Sequence, residues 1–261
     1  MKIKAIILDW AGTAVDYGSR APVAVLEEVF AEHGVPLTRA EARAYMGLPK
    51  LDHIRSTLAL PAVRERWTQQ HGNVPDEPVA QQLYTEFITR QLRCLESYSE
   101  VIPGVVEAVE RFRACGIRIG STTGYTRAML NILIEKAARQ GYRPDASVVP
   151  DEAGAGRPAP YMCYLNAIHL QVFPLSACVK IGDTPSDIEE GRNAGMWTIG
   201  IAKTGNETGL TESEWNALPA PQREVLLAGA RERLSAADFV VDSVADCDDV
   251  LDRIESRLAQ S

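Results

Sequence analysis

Polar residues able to do chemistry stand just after four short apolar runs. Ala5 to Leu8 ends in Asp9, followed at once by Trp10, Ala11, Gly12 and Thr13. Ile117 to Ser121 leads into Thr122, Thr123, Gly124 and Tyr125. Ala146 to Val149 precedes a glycine- and proline-rich loop that carries Arg157. Cys178 to Ile181 runs into Gly182, Asp183, Thr184, Pro185, Ser186 and Asp187. Each feature alone has a bland explanation, since Asp and Thr are common turn and capping residues and a lone Arg is usually a surface charge. The set is harder to dismiss. Carboxylates, hydroxyls and one cation make the donor set of a phosphoryl-transfer site around Mg²⁺, which takes oxygen ligands and keeps substrate oxygens in its shell. Asp9 and Asp183 could supply two of those oxygens, and a carboxylate can also act as nucleophile through an aspartyl-phosphate. Gly12 would let backbone approach a ligand, and Thr13 adds a hydroxyl and loop N–H groups suited to phosphate.

These residues need elements that bring them together. The four apolar runs read as buried strands, joined by a fifth at Trp197 to Ile201 and a last short one at Phe239 to Val241. Helical stretches alternate with them, which predicts a parallel sheet with right-handed crossovers. In such a sheet ligands sit beyond the carboxyl ends of the strands. Between the first and second strands the pattern differs. Pro22 to His33, a capping box at Thr38 and Glu41, Pro49 onward, Pro61 to His71 and Pro78 to about Ser97 all read as helix. The expected architecture is therefore α/β: residues 1–19 and 99–261 as a doubly wound core, and 20–98 as an inserted helical cap domain.

Composition narrows the function. The chain has 261 residues, 46% hydrophobic and 24% charged, with a net charge of −8 and no long basic run. That argues against nucleic acid as partner. Five scattered cysteines form no C-x-x-C pattern, which fits free thiols in a reducing cytoplasm. Met1 to Lys4 runs straight into the first strand without a signal-peptide core, and no apolar run reaches membrane-spanning length.

The four motifs resemble those of the haloacid dehalogenase superfamily, with the helical segment in the position of that family's cap. Two departures stand out. Phosphatases and mutases of the superfamily usually carry an acid two residues after the nucleophile, and here that place is Ala11. The third motif commonly offers Lys and here offers Arg157, which can bind phosphate with two donors. Met46 to His53, Asp9 to Tyr17, Gly120 to Thr126 and Ala155 to Pro158 are similar to the phosphonoacetaldehyde hydrolase family. That resemblance implies cleavage of a carbon–phosphorus bond, with Lys50 as Schiff-base amine and Asp9 as phosphoryl acceptor. It also implies Mg²⁺ held by Asp9, Asp183 and the Ala11 carbonyl, with Asp187 and Thr184 behind them. Thr123, Gly124 and Arg157 are expected on the phosphate, and Ser19, Met46 and Tyr125 at the cap–core interface. The partner is then a small phosphonate, in a cytoplasmic homodimer.

The chemistry accounts for Ala11. A C–P bond breaks only if carbon can hold the electrons. A cationic imine on Lys50 is such a sink, and an enamine leaving group needs no acid at residue 11. Lys50 must be neutral to attack, against a solution pKa of about 10.4. If Lys50 lies in the first turn of a helix, the positive helix end disfavours its ammonium. His53, three residues on, falls on the same face and is expected to assist proton transfer with a pKa in the imidazole range. Two other readings remain open: a phosphatase or phosphoglucomutase of the same fold, and a non-catalytic phosphate-binding relative.

Overall fold

The computed structural model describes residues 2–260, so Met1 of the run Met1 to Lys4 ahead of the first strand lies outside the described residues. Six parallel strands form one sheet in the order β3-β2-β1-β4-β5-β6. They are β1 (Ala5–Leu8), β2 (Arg118–Thr122), β3 (Ala146–Val148), β4 (Cys178–Gly182), β5 (Trp197–Ile201) and β6 (Phe239–Val241). All four residues of β1 are buried, as a central parallel strand requires. Ile6 and Leu8 join one apolar cluster and Ala5 and Ile7 another, so both faces of the sheet are covered. In register, Leu8 lies opposite Ser121 on one side and Ile181 on the other. Residues just beyond β1, β2 and β4 therefore emerge at one edge. The chain winds from β1 out to β3, then restarts at β4 on the other side of β1. Asp9 stands at that switch point, where open α/β sheets bind ligands.

Between β1 and residue 98 the described residues form helices without a strand of the sheet. These are α1 (Ala21–Glu32), α2 (Arg39–Arg43), α3 (Lys50–Ala59), α4 (Pro61–His71), α5 (Glu77–Cys94) and a 3-10 turn at Leu95–Tyr98. Val25, Leu26, Val29 and Phe30 form the buried face of α1. The Thr38–Glu41 capping box opens α2 as expected. The apolar cluster is continuous from Ile6 and Leu8 in the sheet to Phe30, Ile54 and Phe87 in the insert.

The rest of the chain supplies α6 (Val105–Ala114), α7 (Arg127–Arg139), α8 (Pro150–Ala153), α9 (Tyr161–Leu170), α10 (Pro185–Asn193), α11 (Glu212–Ala217), α12 (Ala220–Arg233) and α13 (Asp248–Gln260). Four details differ from the sequence expectation. Pro49 stands outside α3 as its N-cap, and Lys50 is the first helical residue. The loop before Arg157 contains α8, a single turn too short to show periodicity and stopped by Gly154 at φ 79°. Helix α12 was unforeseen because it buries only Ala230, so it has no apolar stripe to read. Ser243 to Asp246 reads in the sequence as the cap of the terminal helix, but it forms a 3-10 turn in which the Ser243 hydroxyl donates to Asp246 Oδ2 at 2.6 Å, and the helix starts later, at Asp248.

Candidate active site

The floor of the site is a buried ionic cluster at the carboxyl edge of the sheet. Arg157 is its centre. Its Nη2 donates to Asp9 Oδ1 at 2.7 Å and Thr122 Oγ1 at 2.9 Å, and its Nε donates to Glu190 Oε2 at 2.9 Å. Asp187 Oδ1 lies 3.0 Å from Nη2 and 2.7 Å from the ammonium of Lys180. Thr184 Oγ1 donates to Asp187 Oδ2 at 2.6 Å, so the capping box of α10 also fixes this carboxylate. Burial raises the Asp187 pKa, but Arg157 and Lys180 outweigh it and hold the group below its ordinary value. Asp9 has the opposite balance. Burial and the Asp187 charge push it up to about 6 despite Arg157. Asp183 is pushed well up by burial, Asp9 and Asp187.

Four carboxylates (Asp9, Asp183, Asp187 and Glu190) thus face two cations, and the excess negative charge falls on Asp9 and Asp183. Ligand oxygens of Asp9, Asp183 and Asp187 lie within 4.8 Å of one another. Both Asp187 oxygens already serve Lys180, Arg157 and Thr184. Asp9 and Asp183 are the pair left to meet a dication, and hard oxygen donors with unbalanced negative charge suit Mg²⁺.

The roof comes from the insert. Lys50, first residue of α3, and Met46, just before it, line a cavity with Asp9, Ala11, Asp183 and Arg157. Ser19 from the linker before α1 also lines it, with φ 49° in the left-handed region. Thr123, Gly124 and Tyr125 follow β2, and Thr184 follows β4. Lys50 Nζ lies 4.9 Å from the ring centre of Tyr125. Burial, joined by the Arg157 charge and opposed by Asp9 and Asp183, brings the Lys50 pKa down to about 8. The first-turn placement holds, yet burial is the largest cause. A Cβ on Gly124 would stand 2.6 Å from the Leu48 carbonyl oxygen, so glycine is what lets the insert close here. The cavity volume is only ≈ 20 Å³, room for about one water.

Not every expected residue lines the cavity. Thr13 turns its hydroxyl toward Asp183 Oδ1 at 3.5 Å and is fully buried. Gly12, at φ 85°, makes room for Asp183 instead of a ligand, since a Cβ there would lie 2.2 Å from Oδ2. His53 departs most from expectation. Its Nε2 lies 3.0 Å from the Ala42 carbonyl oxygen. Burial and the neighbouring Lys50 push its pKa down to about 3, far below the range assumed for a proton shuttle. The ring is neutral, with Nε2–H donating to Ala42 and a bare Nδ1. Lys180 and Glu190 were missed. A lysine inside a buried central strand demands partners, and Glu190 lies one helical turn from Asp187, so both left a readable signal.

Relatives match the chain over nearly its full length. The chain is 45% identical over 260 residues to the phosphonoacetaldehyde hydrolase of Syntrophobacter fumaroxidans, covering 99% of this chain and 94% of the relative. The chain belongs to the phosphonoacetaldehyde hydrolase family. Another member, from Bacillus thuringiensis, is 44% identical with 98% of both chains covered. The haloacid dehalogenase-like hydrolase family model matches residues 3–195. A crystal structure of a phosphonoacetaldehyde hydrolase-like protein from Oleispira antarctica superposes with a TM-score of 0.97 at 38% identity, covering 100% of this chain and 95% of that one. A β-phosphoglucomutase from Clostridium difficile shares the fold, at TM-score 0.70 and 16% identity over 99% of this chain and 100% of that one. Among the described residues no helix is long and apolar enough to cross a membrane.

Proposed function

We propose that the chain hydrolyses the carbon–phosphorus bond of phosphonoacetaldehyde to acetaldehyde and phosphate, with Lys50 and Asp9 as its two nucleophiles. The observation that carries this reading is a buried lysine at about pKa 8 in the same cavity as Asp9, with no acid at Ala11. Roughly one Lys50 in ten is neutral at pH 7, against about one in three thousand at its unshifted value. Neutral Lys50 adds to the aldehyde carbon, one proton is taken up from water, and water leaves, giving a cationic Schiff base. The electrons of the C–P bond then flow into that imine, the enamine forms, and phosphoryl passes to Asp9. Water hydrolyses the aspartyl-phosphate. Protonation of the enamine carbon and hydrolysis of the imine return acetaldehyde and free Lys50.

Arg157 orients Asp9 and meets the phosphoryl oxygens. Asp9, Asp183 and the Ala11 carbonyl would hold Mg²⁺, which supplies positive charge to the phosphoryl oxygens. Met46 and Tyr125 wall off water around the imine, and Thr123 and Gly124 line the phosphoryl end with backbone N–H and hydroxyl donors. A neutral His53 can only accept or donate a hydrogen bond; it is not an acid. The cavity is too small for substrate, so residues 20–98 act as a cap that swings on the core of 1–19 and 99–261. Asp16 and Ser19, both at positive φ, with Gly18 between them, mark one hinge segment. The enzyme would act as a cytoplasmic homodimer, where its five free cysteines stay reduced.

Borohydride added with substrate should reduce the Schiff base and leave an ethyl or phosphonoethyl adduct on the peptide containing Lys50. Mass spectrometry reads the adduct. Absence of any adduct under turnover, or phosphate release that survives Lys50→Arg, would return the assignment to an ordinary phosphatase.

A further inference from the structure

Arg43 is the last residue of α2, and its side chain reaches out of the insert. Nη1 donates to the carbonyl oxygens of Gly18 at 2.9 Å and Asn206 at 3.1 Å, and to Asn206 Oδ1 at 3.0 Å. Nη2 donates to the Gly209 carbonyl at 3.3 Å. None of these acceptors belongs to residues 20–98. Gly209 has φ 64°, and a Cβ there would fall 2.6 Å from Arg43 Cζ, so the backbone is shaped around the guanidinium.

The same loop holds the site on its far side. Asn206 N–H donates to Asp183 Oδ2 at 2.7 Å. A Cβ on Gly205 would stand 2.3 Å from Asp183 Cβ. The Thr204 hydroxyl donates to the Gly12 carbonyl at 2.8 Å, and Gly18 N–H donates to the Thr204 carbonyl at 2.7 Å. Residues 204–209 are therefore wedged between Arg43 on the insert and Asp183 in the site, and through Thr204 they also touch Gly18 and the loop after β1 at Gly12.

We infer that Arg43 is a latch: it couples closure of the insert to the placement of Asp183 through the 204–209 loop. This rests on the proposal that Asp183 serves phosphoryl transfer. The physical chemistry favours a latch over a permanent staple. Among the described residues no carboxylate comes within ion-pair distance of Arg43, and its Nε is buried without a partner. A guanidinium taken from water into neutral carbonyls gains less than one meeting a carboxylate. Burial and the Arg39 charge lower its pKa, while the charges of Asp16, Asp183 and Glu27, beyond ion-pair distance, oppose them. The contact is favourable only in the shut geometry and is readily given up when the insert swings. The Asn206 N–H then loses its backing, and the Asp183 site is complete only around enclosed substrate. Arg43 is a positioning residue, since it touches neither substrate nor reacting atoms.

The test uses the full-length Arg43→Ala and Arg43→Lys variants and three readouts. We expect amide hydrogen exchange at Asn206 to quicken at least tenfold, with exchange in β1 and β4 unchanged. Titration calorimetry with Mg²⁺ alone should show binding weakened about threefold to tenfold. The kcat for phosphonoacetaldehyde should fall tenfold or more, with Lys not restoring it, because one ammonium cannot span four acceptors. If Arg43→Ala does not fold, Arg43→Lys carries the same expectations. A folded variant with wild-type exchange at Asn206 and wild-type Mg²⁺ affinity overturns the latch, whatever its turnover. Failure of the wild type to give a Lys50 adduct overturns the proposed chemistry instead, and leaves the exchange readout to judge the latch.

Discussion

Lys180, on β4, places its ammonium 2.7 Å from Asp187 and 3.5 Å from Glu190. Lys50, on α3, faces the ring of Tyr125, and among the described residues no carboxylate lies within ion-pair distance of it. Both side chains are buried. Burial opposes the charged form of each, yet Asp187 and Glu190 reverse that for Lys180 and raise its pKa, while Lys50 drops to about 8. Partners, not depth, decide the outcome. Lys180 is a fixed charge that holds carboxylates in place. Lys50 is an amine whose proton is weakly held, and its burial is a cost to the fold that suits the nucleophile proposed above.

The comparison breaks most visibly under mutation. Lys50→Arg should cost on the order of 10⁴-fold in kcat by removing the covalent route, with steady-state phosphate release as the assay. Lys180→Met should lower stability by about 3–5 kcal/mol, because Asp187 and Glu190 lose a partner while staying buried; urea unfolding measures this. Lys50→Met should act in the opposite direction, raising stability at pH 7 by about 2 kcal/mol, since it removes a desolvated amine. Equal signs for the two methionine variants would end the distinction drawn here.

The pH dependence sharpens it. Below pH 8, kcat/KM should rise about tenfold per unit as Lys50 loses its proton, then level off above. In the linkage, unfolded Lys50 keeps its proton between about pH 8 and 10.5 while the folded one has released it, so this group makes stability rise with pH across that window. Lys180 has the opposite sign: its contribution is full below 10.5 and is lost as pH rises through its elevated value. Tyr125→Leu should lower the Lys50 midpoint by less than about one unit, because a cation–ring contact is worth roughly 0.5–1 kcal/mol. The smallest signal is His53, whose ring resonances should not titrate between about pH 5 and 8. A midpoint near 6.5 would restore it as a proton carrier.

The fold was legible because it rests on patterns that survive in one dimension. Buried strands such as Ala5 to Leu8 and the capping box at Thr38 are local, and each formed where expected. Helix α12 was not legible, since a helix burying one residue leaves no periodic trace. Most of the site was readable too, because strand-end residues at a switch point must converge once the sheet is parallel. The 204–209 loop was not, since its importance lies in what it touches: Asp183, Gly12, Gly18 and Arg43, all remote in sequence.

The sequence alone determined the residue types: a carboxylate after β1, an alanine where an acid is usual, a lysine at the head of a helix in the insert. Those types limit the chemistry, because a carbon leaving group needs an electron sink and not an acid. Only the tertiary structure decided which lysine holds its proton firmly and which holds it weakly, that His53 is neutral, and that Gly12 and Thr13 serve Asp183. Protonation and orientation depend on solvent exclusion and on charges brought close from distant positions, and neither exists until the chain is folded.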